Sequence, residues 1–256
     1  MLLGQEGEVT IHSCFPIHDH LVRLANQKSP PITDIKFGSY GEYGKHLFSF
    51  SRVQYCTREY LWEQVGAGDL TGRVVGWIKY AKTQAGPGDV VRIFLNAHEK
   101  PNGAVSLGTG DFHPRVFSGL LNEFHPNTLI YTLVSSCRSG NFVDAIEASG
   151  AKNRIVTTST PATELSYGQT KRISGRVCSS RFVAAWAEAL STAEIPGYPY
   201  RAERALWTIQ DHGQFVVDKL TRDITPTASA NERVTPRHWH SADIEPLQQF
   251  EALVLR

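Results

Sequence analysis

The sequence predicts an α/β protein in three layers, a mostly parallel central sheet flanked by helices. Three observations predict it. Three short runs, Val90–Asn96, Leu129–Val134 and Arg154–Thr158, are rich in β-branched and apolar residues and bounded by turn signals. Helical segments separate them, and strands apolar on both faces that alternate with helices form parallel sheets covered on each side. The 256 residues, 41% apolar and 20% charged, suffice for one sizeable core. The chain reads as a single domain over 1–256, with its recognisable core over about 70–191 and a helical extension and tail over about 192–256.

The first 68 residues are poorly patterned, with Val9–His12 and His46–Val53 as candidate strands. Asp69 is placed to cap a helix whose apolar positions Leu70, Val74, Trp77, Ile78 and Ala81 follow one helical stripe. Gly86, Pro87, Gly88 and Asp89 end it and open the strand Val90–Asn96. The Gly-rich piece SLGTGDF reads as a hairpin-like return; it lacks the lysine of a phosphate loop. Pro126 and Asn127 precede the second strand, and Gly150 closes the helix before the third. Helices are expected over Arg176–Leu190 and about Arg201–Leu220, with a loop-like tail after Thr225.

Composition excludes several classes of function. No run approaches the ~18 apolar residues that span a bilayer, and MLLGQEGEV has neither the basic nor the apolar region of a secretory signal, so a cytoplasmic protein is expected. The four cysteines, Cys14, Cys56, Cys137 and Cys178, are far apart and form no CxxC pair, which argues for reduced thiols. A net charge of +1 without a Lys/Arg run gives no footprint for nucleic acid or a membrane, leaving a neutral or small polar partner. His12, Cys14, His18 and His20 carry ligand atoms, but their spacing matches no standard zinc site, so neither metal nor cofactor is expected.

Chemistry gathers at two strand ends. VVRIFLN runs into Ala97 and His98, and LIYTLV runs into Ser135, Ser136 and Cys137, so both reactive side chains belong at the carboxyl edge of one sheet, where open α/β sheets keep their sites. A cysteine at a strand-to-helix turn is a favourable nucleophile, because helix N-terminal amides stabilise a thiolate and offer donors to an oxyanion. His98 is then the proton carrier, protonating a leaving group and activating water. A strand-end cysteine is more often a buried apolar residue, and a strand-end histidine often only bonds backbone. The pairing of both, with Arg138, Ser139 and Gly140 following, favours the chemical reading. Arg138 and Glu99 either pair with each other, face solvent, or contact substrate. His238 and His240 flank Trp239, which either packs over a pocket or anchors the tail.

The strings GDVVRIFLNAHEKPNGAVSLGTGDF, LIYTLVSSCRSGNF and NRIVTTSTPATELSYG resemble the clan of cysteine peptidases that contains legumain, caspases and metacaspases, above all legumain-like (C13) and fungal caspase-like proteins. In that clan one strand ends in His-Gly and the next in Cys, any residue, Ser or Gly, then Gly. Here these are His98 with Glu99 and Cys137, Arg138, Ser139, Gly140, with Cys137 39 positions after His98. The resemblance implies a caspase/legumain-like sandwich and a Cys137–His98 dyad acting through a covalent thioester. It also implies an oxyanion hole from the N–H groups of Glu99 and Cys137, and a substrate pocket at Ser136, Arg138, Thr158, Ser159 and Thr160, near Glu164, Ser166 and Tyr167. Two features depart from the clan. Glu99 replaces its glycine, and its carboxylate would repel a developing oxyanion. No first-strand signature assigns the specificity pocket, for which Arg23 and Arg52 are weak candidates. The expected activity is peptide or amide hydrolysis. A biosynthetic enzyme using the same dyad on a small-molecule acyl or amide substrate, and a non-catalytic scaffold of the same fold, are the alternatives.

Overall fold

A computed structural model describes residues 12–13, 34–37, 48–51, 63–64, 68–166, 182, 209–223 and 235–244. The described elements, in chain order, are β1 (His12–Ser13), β2 (Asp34–Phe37), β3 (Phe48–Ser51), β4 (Glu63–Gln64), α1 (Leu70–Gln84), β5 (Val90–Asn96), β6 (Val105–Leu107) and β7 (Gly110–Phe112). They continue with α2 (Pro114–Asn122), β8 (Leu129–Ser135), α3 (Gly140–Ala148), β9 (Arg154–Thr158), α4 (Ile209–Asp223) and β10 (Arg237–His240).

The central sheet has the order β10-β9-β8-β5. β5, β8 and β9 are parallel neighbours, and β10 runs antiparallel along β9, so the sheet is mixed but mostly parallel. Each parallel crossover carries a helix: α2 returns the chain from β5 to β8, and α3 from β8 to β9. β1 pairs with β4 in parallel, and β2 and β3 form an antiparallel pair; β1 and β3 fall at the two N-terminal runs expected to be strands, whereas β2 and β4 have no expected counterpart.

Alternation along the strands assigns the layers. Ile93 and Leu95 of β5, Ile130 and Val134 of β8 and Val156 of β9 join Leu70 and Ile78 of α1, Phe117, Leu120 and Leu121 of α2 and Phe142, Val143 and Ile146 of α3 in one buried cluster. α1, α2 and α3 therefore cover one face. Phe117 is its hinge, stacked edge-on against Phe112 and Phe142 with ring centroids 5.7 and 5.6 Å away. On the opposite face α4 buries Phe215, Val216 and Leu220, and its Gly213 lies so close to His238 of β10 that a Cβ there would fall 2.5 Å from the imidazole. Helices thus flank the sheet on both sides.

Several expectations are corrected. Asp69 occupies the N-cap of α1, yet its side chain makes no capping hydrogen bond. His238, Trp239 and His240 belong to strand β10, not a loop, because β9 offers a free edge and Trp239 packs on the core cluster, which anchors the tail. SLGTGDF does form a hairpin, β6 with β7, turning at Gly108 with a φ of 65°. Helix α2 supplies the helical segment expected between the first two strands, and Pro114 at its first position starts it. α4 is described from Ile209, within the expected 201–220 helix, whereas the expected helix Arg176–Leu190 lies outside the described residues except for the buried Phe182. Arg23, Arg52, Cys14, Cys56, Cys178, His18, His20 and Tyr167 also lie outside them. Among the described residues no helix is long and apolar enough to cross a membrane.

Candidate active site

Register brings the two reactive residues to one edge. β5 and β8 pair rung by rung from Val90↔Leu129 to Asn96↔Ser135. The Ala97 N–H still donates to Ser135 O at 3.3 Å. His98 and Cys137 each lie two residues beyond that last rung, at the carboxyl ends of adjacent parallel strands. His98 is exposed and Cys137 half-buried. No hydrogen bond joins them; the imidazole makes none among the described residues.

The Cys137 thiol meets the backbone of Ser166, whose N–H approaches the sulfur at 3.3 Å while its carbonyl lies 3.6 Å away. One peptide unit thus offers a donor to a thiolate and an acceptor to a thiol. The next residue, Arg138, has a left-handed backbone with φ 52°. For a residue with a Cβ this costs about 1–2 kcal/mol, and surrounding contacts must impose it. They do: the Arg138 N–H donates to Glu164 O at 2.7 Å, and Asn141 donates to Arg138 O from its backbone N–H at 3.1 Å and from Nδ2 at 2.8 Å. Gly140 is dictated by crowding, because a Cβ would stand 2.5 Å from the Ala162 nitrogen.

Beneath this turn lies a dry mesh of hydroxyls. The Ser136 N–H donates to Ser159 Oγ at 3.1 Å, and that hydroxyl donates to Ser136 O at 2.8 Å. Ser139 Oγ accepts from the Thr160 N–H at 3.1 Å and lies 3.1 Å from Ser159 Oγ, while the Thr158 hydroxyl donates to Thr160 O at 3.3 Å. All five residues are buried. Ser136, Thr158, Ser159 and Thr160, expected to touch substrate, therefore spend these bonds inside the protein, fixing the nucleophile turn to the end of β9. Of the residues expected in the pocket at these positions, Arg138 is half-buried and keeps a face to solvent.

Glu99 begins the return from β5. It faces Val105 in an isolated antiparallel bridge, flanked by Ser106 N–H to His98 O at 2.7 Å and Lys100 N–H to Ala104 O at 2.8 Å. In such a non-hydrogen-bonded pair the residue's own amide points away from its partner strand. Among the described residues, neither the Glu99 nor the Cys137 amide has an acceptor. The Glu99 carboxylate accepts from Ser136 Oγ at 2.9 Å and Asn141 Nδ2 at 3.2 Å. It makes no ion pair with Arg138. Burial pushes its pKa up to about 7, against the opposing pull of both hydrogen bonds and of the Arg138 charge.

Sequence reasoning missed Asn141, which ties Glu99 to the turn; a lone Asn near the start of a helix carries no signal of that role. It also missed the contact to Ser166, made by backbone atoms that any side chain would supply. Among the described residues no group of three or more His, Cys, Asp or Glu side chains could hold a metal ion.

No protein-family model matches this chain. No curated protein matches it either. Among solved structures it is similar to the crystal structure of protein GSU0716 from Geobacter sulfurreducens, at 13% identity over 73% of this chain and 80% of that one, with a TM-score of 0.46.

Proposed function

We propose that this protein is a cysteine-dependent acyl-transfer enzyme on a caspase/legumain-like fold, acting as a peptidase or amide hydrolase with Cys137 as nucleophile and His98 as acid and base. One observation carries the reading: both residues stand two positions past the same Asn96↔Ser135 rung of two parallel strands. The Cys137 thiolate attacks the substrate carbonyl carbon, and the amides of Glu99 and Cys137 supply donors for the resulting oxyanion. His98 gives a proton to the departing amine, leaving a thioester. It then takes a proton from water, which attacks the thioester and releases the acid and the Cys137 thiolate.

Glu99 favours a second substrate class for the same chemistry. Where the clan has glycine, its side chain occupies space beside the nucleophile turn, bonded to Ser136 and Asn141, and this supports a small acyl or amide substrate in a biosynthetic role over an extended peptide.

The test is the rate at which iodoacetamide alkylates each cysteine, located by mass spectrometry, in wild type and His98→Ala. Cys137 is expected to react about tenfold or more faster than Cys14, Cys56 and Cys178, and to lose that lead without His98. If Cys137 is indistinguishable from the other three, the catalytic reading fails and a scaffold role replaces it.

A further inference from the structure

Glu99 is held more deliberately than its place after a strand end requires. Its backbone leaves β5, Ser136 Oγ comes from the end of β8 and the position immediately before Cys137, and Asn141 Nδ2 comes from the first turn of α3. One carboxyl group therefore spans the three segments that build the nucleophile turn. The loop before β6 seals it: a Cβ on Gly103, where φ is 81°, would fall 2.9 Å from the Asn141 side chain. Water is partly excluded, while the two hydrogen bonds hold the carboxyl in place.

We propose that Glu99 is a positioning residue whose charge sets the pH range in which Cys137 works: neutral, it clamps the turn without opposing charge on the sulfur, and ionised, it opposes both the thiolate and the bound oxyanion. This rests on Cys137 being the nucleophile.

The charged and titratable groups around Glu99 leave it this role. His98 and Lys100 adjoin it in the chain, and Lys100 is engaged with Asp111 of β7 at 2.5 Å. From the turn come Cys137 and Arg138, from the segment after β9 Glu164, and from α3 Asp144, which pairs with Arg237 of β10 at 2.6 Å. The Arg138 charge favours the ionised Glu99 carboxyl, and burial outweighs it. Protonation of Glu99 near neutrality follows from its desolvation.

Alkylation of Cys137 by iodoacetamide, a neutral reagent, is followed across pH in wild type, Glu99→Gln, Glu99→Ala and His98→Ala. In wild type the profile should be broader than a single-proton curve, because two coupled acids titrate in two macroscopic steps. Glu99→Gln keeps an acceptor and a donor for Ser136 and Asn141 but loses the charge. It should collapse the profile to one step and react about tenfold faster around neutral pH. Glu99→Ala, lacking the clamp as well, should react more slowly than Glu99→Gln. A purely structural role would leave Glu99→Gln superimposable on wild type. If that is observed while His98→Ala still removes the lead of Cys137, the nucleophile reading stands and this inference falls. If Cys137 has no lead in wild type, both fall. Should Glu99→Gln fail to fold, the Glu99 carboxyl 13C shift is followed across pH in wild type and Cys137→Ser. A second step present in wild type and absent in Cys137→Ser supports the coupling, and identical curves overturn it.

Discussion

His238 should make the fold acid-labile by a calculable amount. Its Nδ1 lies 3.1 Å from Thr157 Oγ1, which also accepts from the Tyr131 hydroxyl at 3.3 Å, and its Nε2, shut off from solvent, makes no well-formed hydrogen bond among the described residues and faces the Gly213 backbone. Burial lowers its pKa from 6.5 to about 4, against a smaller opposing contribution from the Gly213 backbone. The unfolded chain therefore binds a proton that the folded one refuses. This group's contribution is fully present above about pH 6.5 and is lost as pH falls toward 4, approaching about 3 kcal/mol at the lower end, from 1.36 kcal/mol per pKa unit. At about pH 5 the loss is about 2 kcal/mol. Glu99 titrates in the opposite sense, since its raised pKa adds stability on acidification. The informative quantity is therefore the difference between wild type and His238→Gln in urea denaturation at about pH 8 and about pH 5. The gap between the two proteins should shift by about 2 kcal/mol in favour of the variant at the lower pH. A gap that does not move with pH would refute the buried, neutral imidazole.

Three further outcomes are expected. Gly140→Ala should lower stability by about 2–3 kcal/mol in urea denaturation, because its Cβ has to displace backbone at Pro161 and Ala162. Ser159→Ala removes the partner of the Ser136 N–H, while Ser136 O keeps the Thr160 hydroxyl at 3.3 Å, so it should cost about 1–2 kcal/mol in thermal unfolding and slow Cys137 alkylation. Arg154, only 2% exposed, donates to Thr128 O at 2.8 Å and to Leu121 O at 2.7 Å; Arg154→Met should destabilise by about 2 kcal/mol, measured by denaturant midpoint.

The central strands were legible because their signal is local. β5, β8 and β9 are short runs rich in β-branched and apolar residues between turn residues, and the positions of His98 and Cys137 past their ends follow from strand length alone. β10 was hidden for the opposite reason. RHWH has no apolar run, and its strand character comes from the free edge of β9 and from Trp239 reaching the core, both properties of the assembled sheet. At the site, the two strand-end residues could be read from the chain, but the inward engagement of Ser159 and Thr160 could not. A Ser-Thr stretch at a strand end looks identical whether it faces a ligand or supports a turn. The partners of Glu99 were unreadable too, since Ser136 and Asn141 are 37 and 42 residues away in sequence.

The shared rung also bears on how such a chain tolerates changes in length. Because His98 and Cys137 are counted from Asn96↔Ser135, deleting one residue inside β5 would turn His98 to the other side of the sheet and separate the pair at a stroke. The segment between Glu99 and Leu129, which holds the β6–β7 hairpin and α2, enters that count nowhere. Insertions and deletions should therefore accumulate in the hairpin turn at Gly108 and Thr109 and be purged from the strands. The spacing of 39 positions depends on the length of that segment, whereas the two steps beyond a common rung do not.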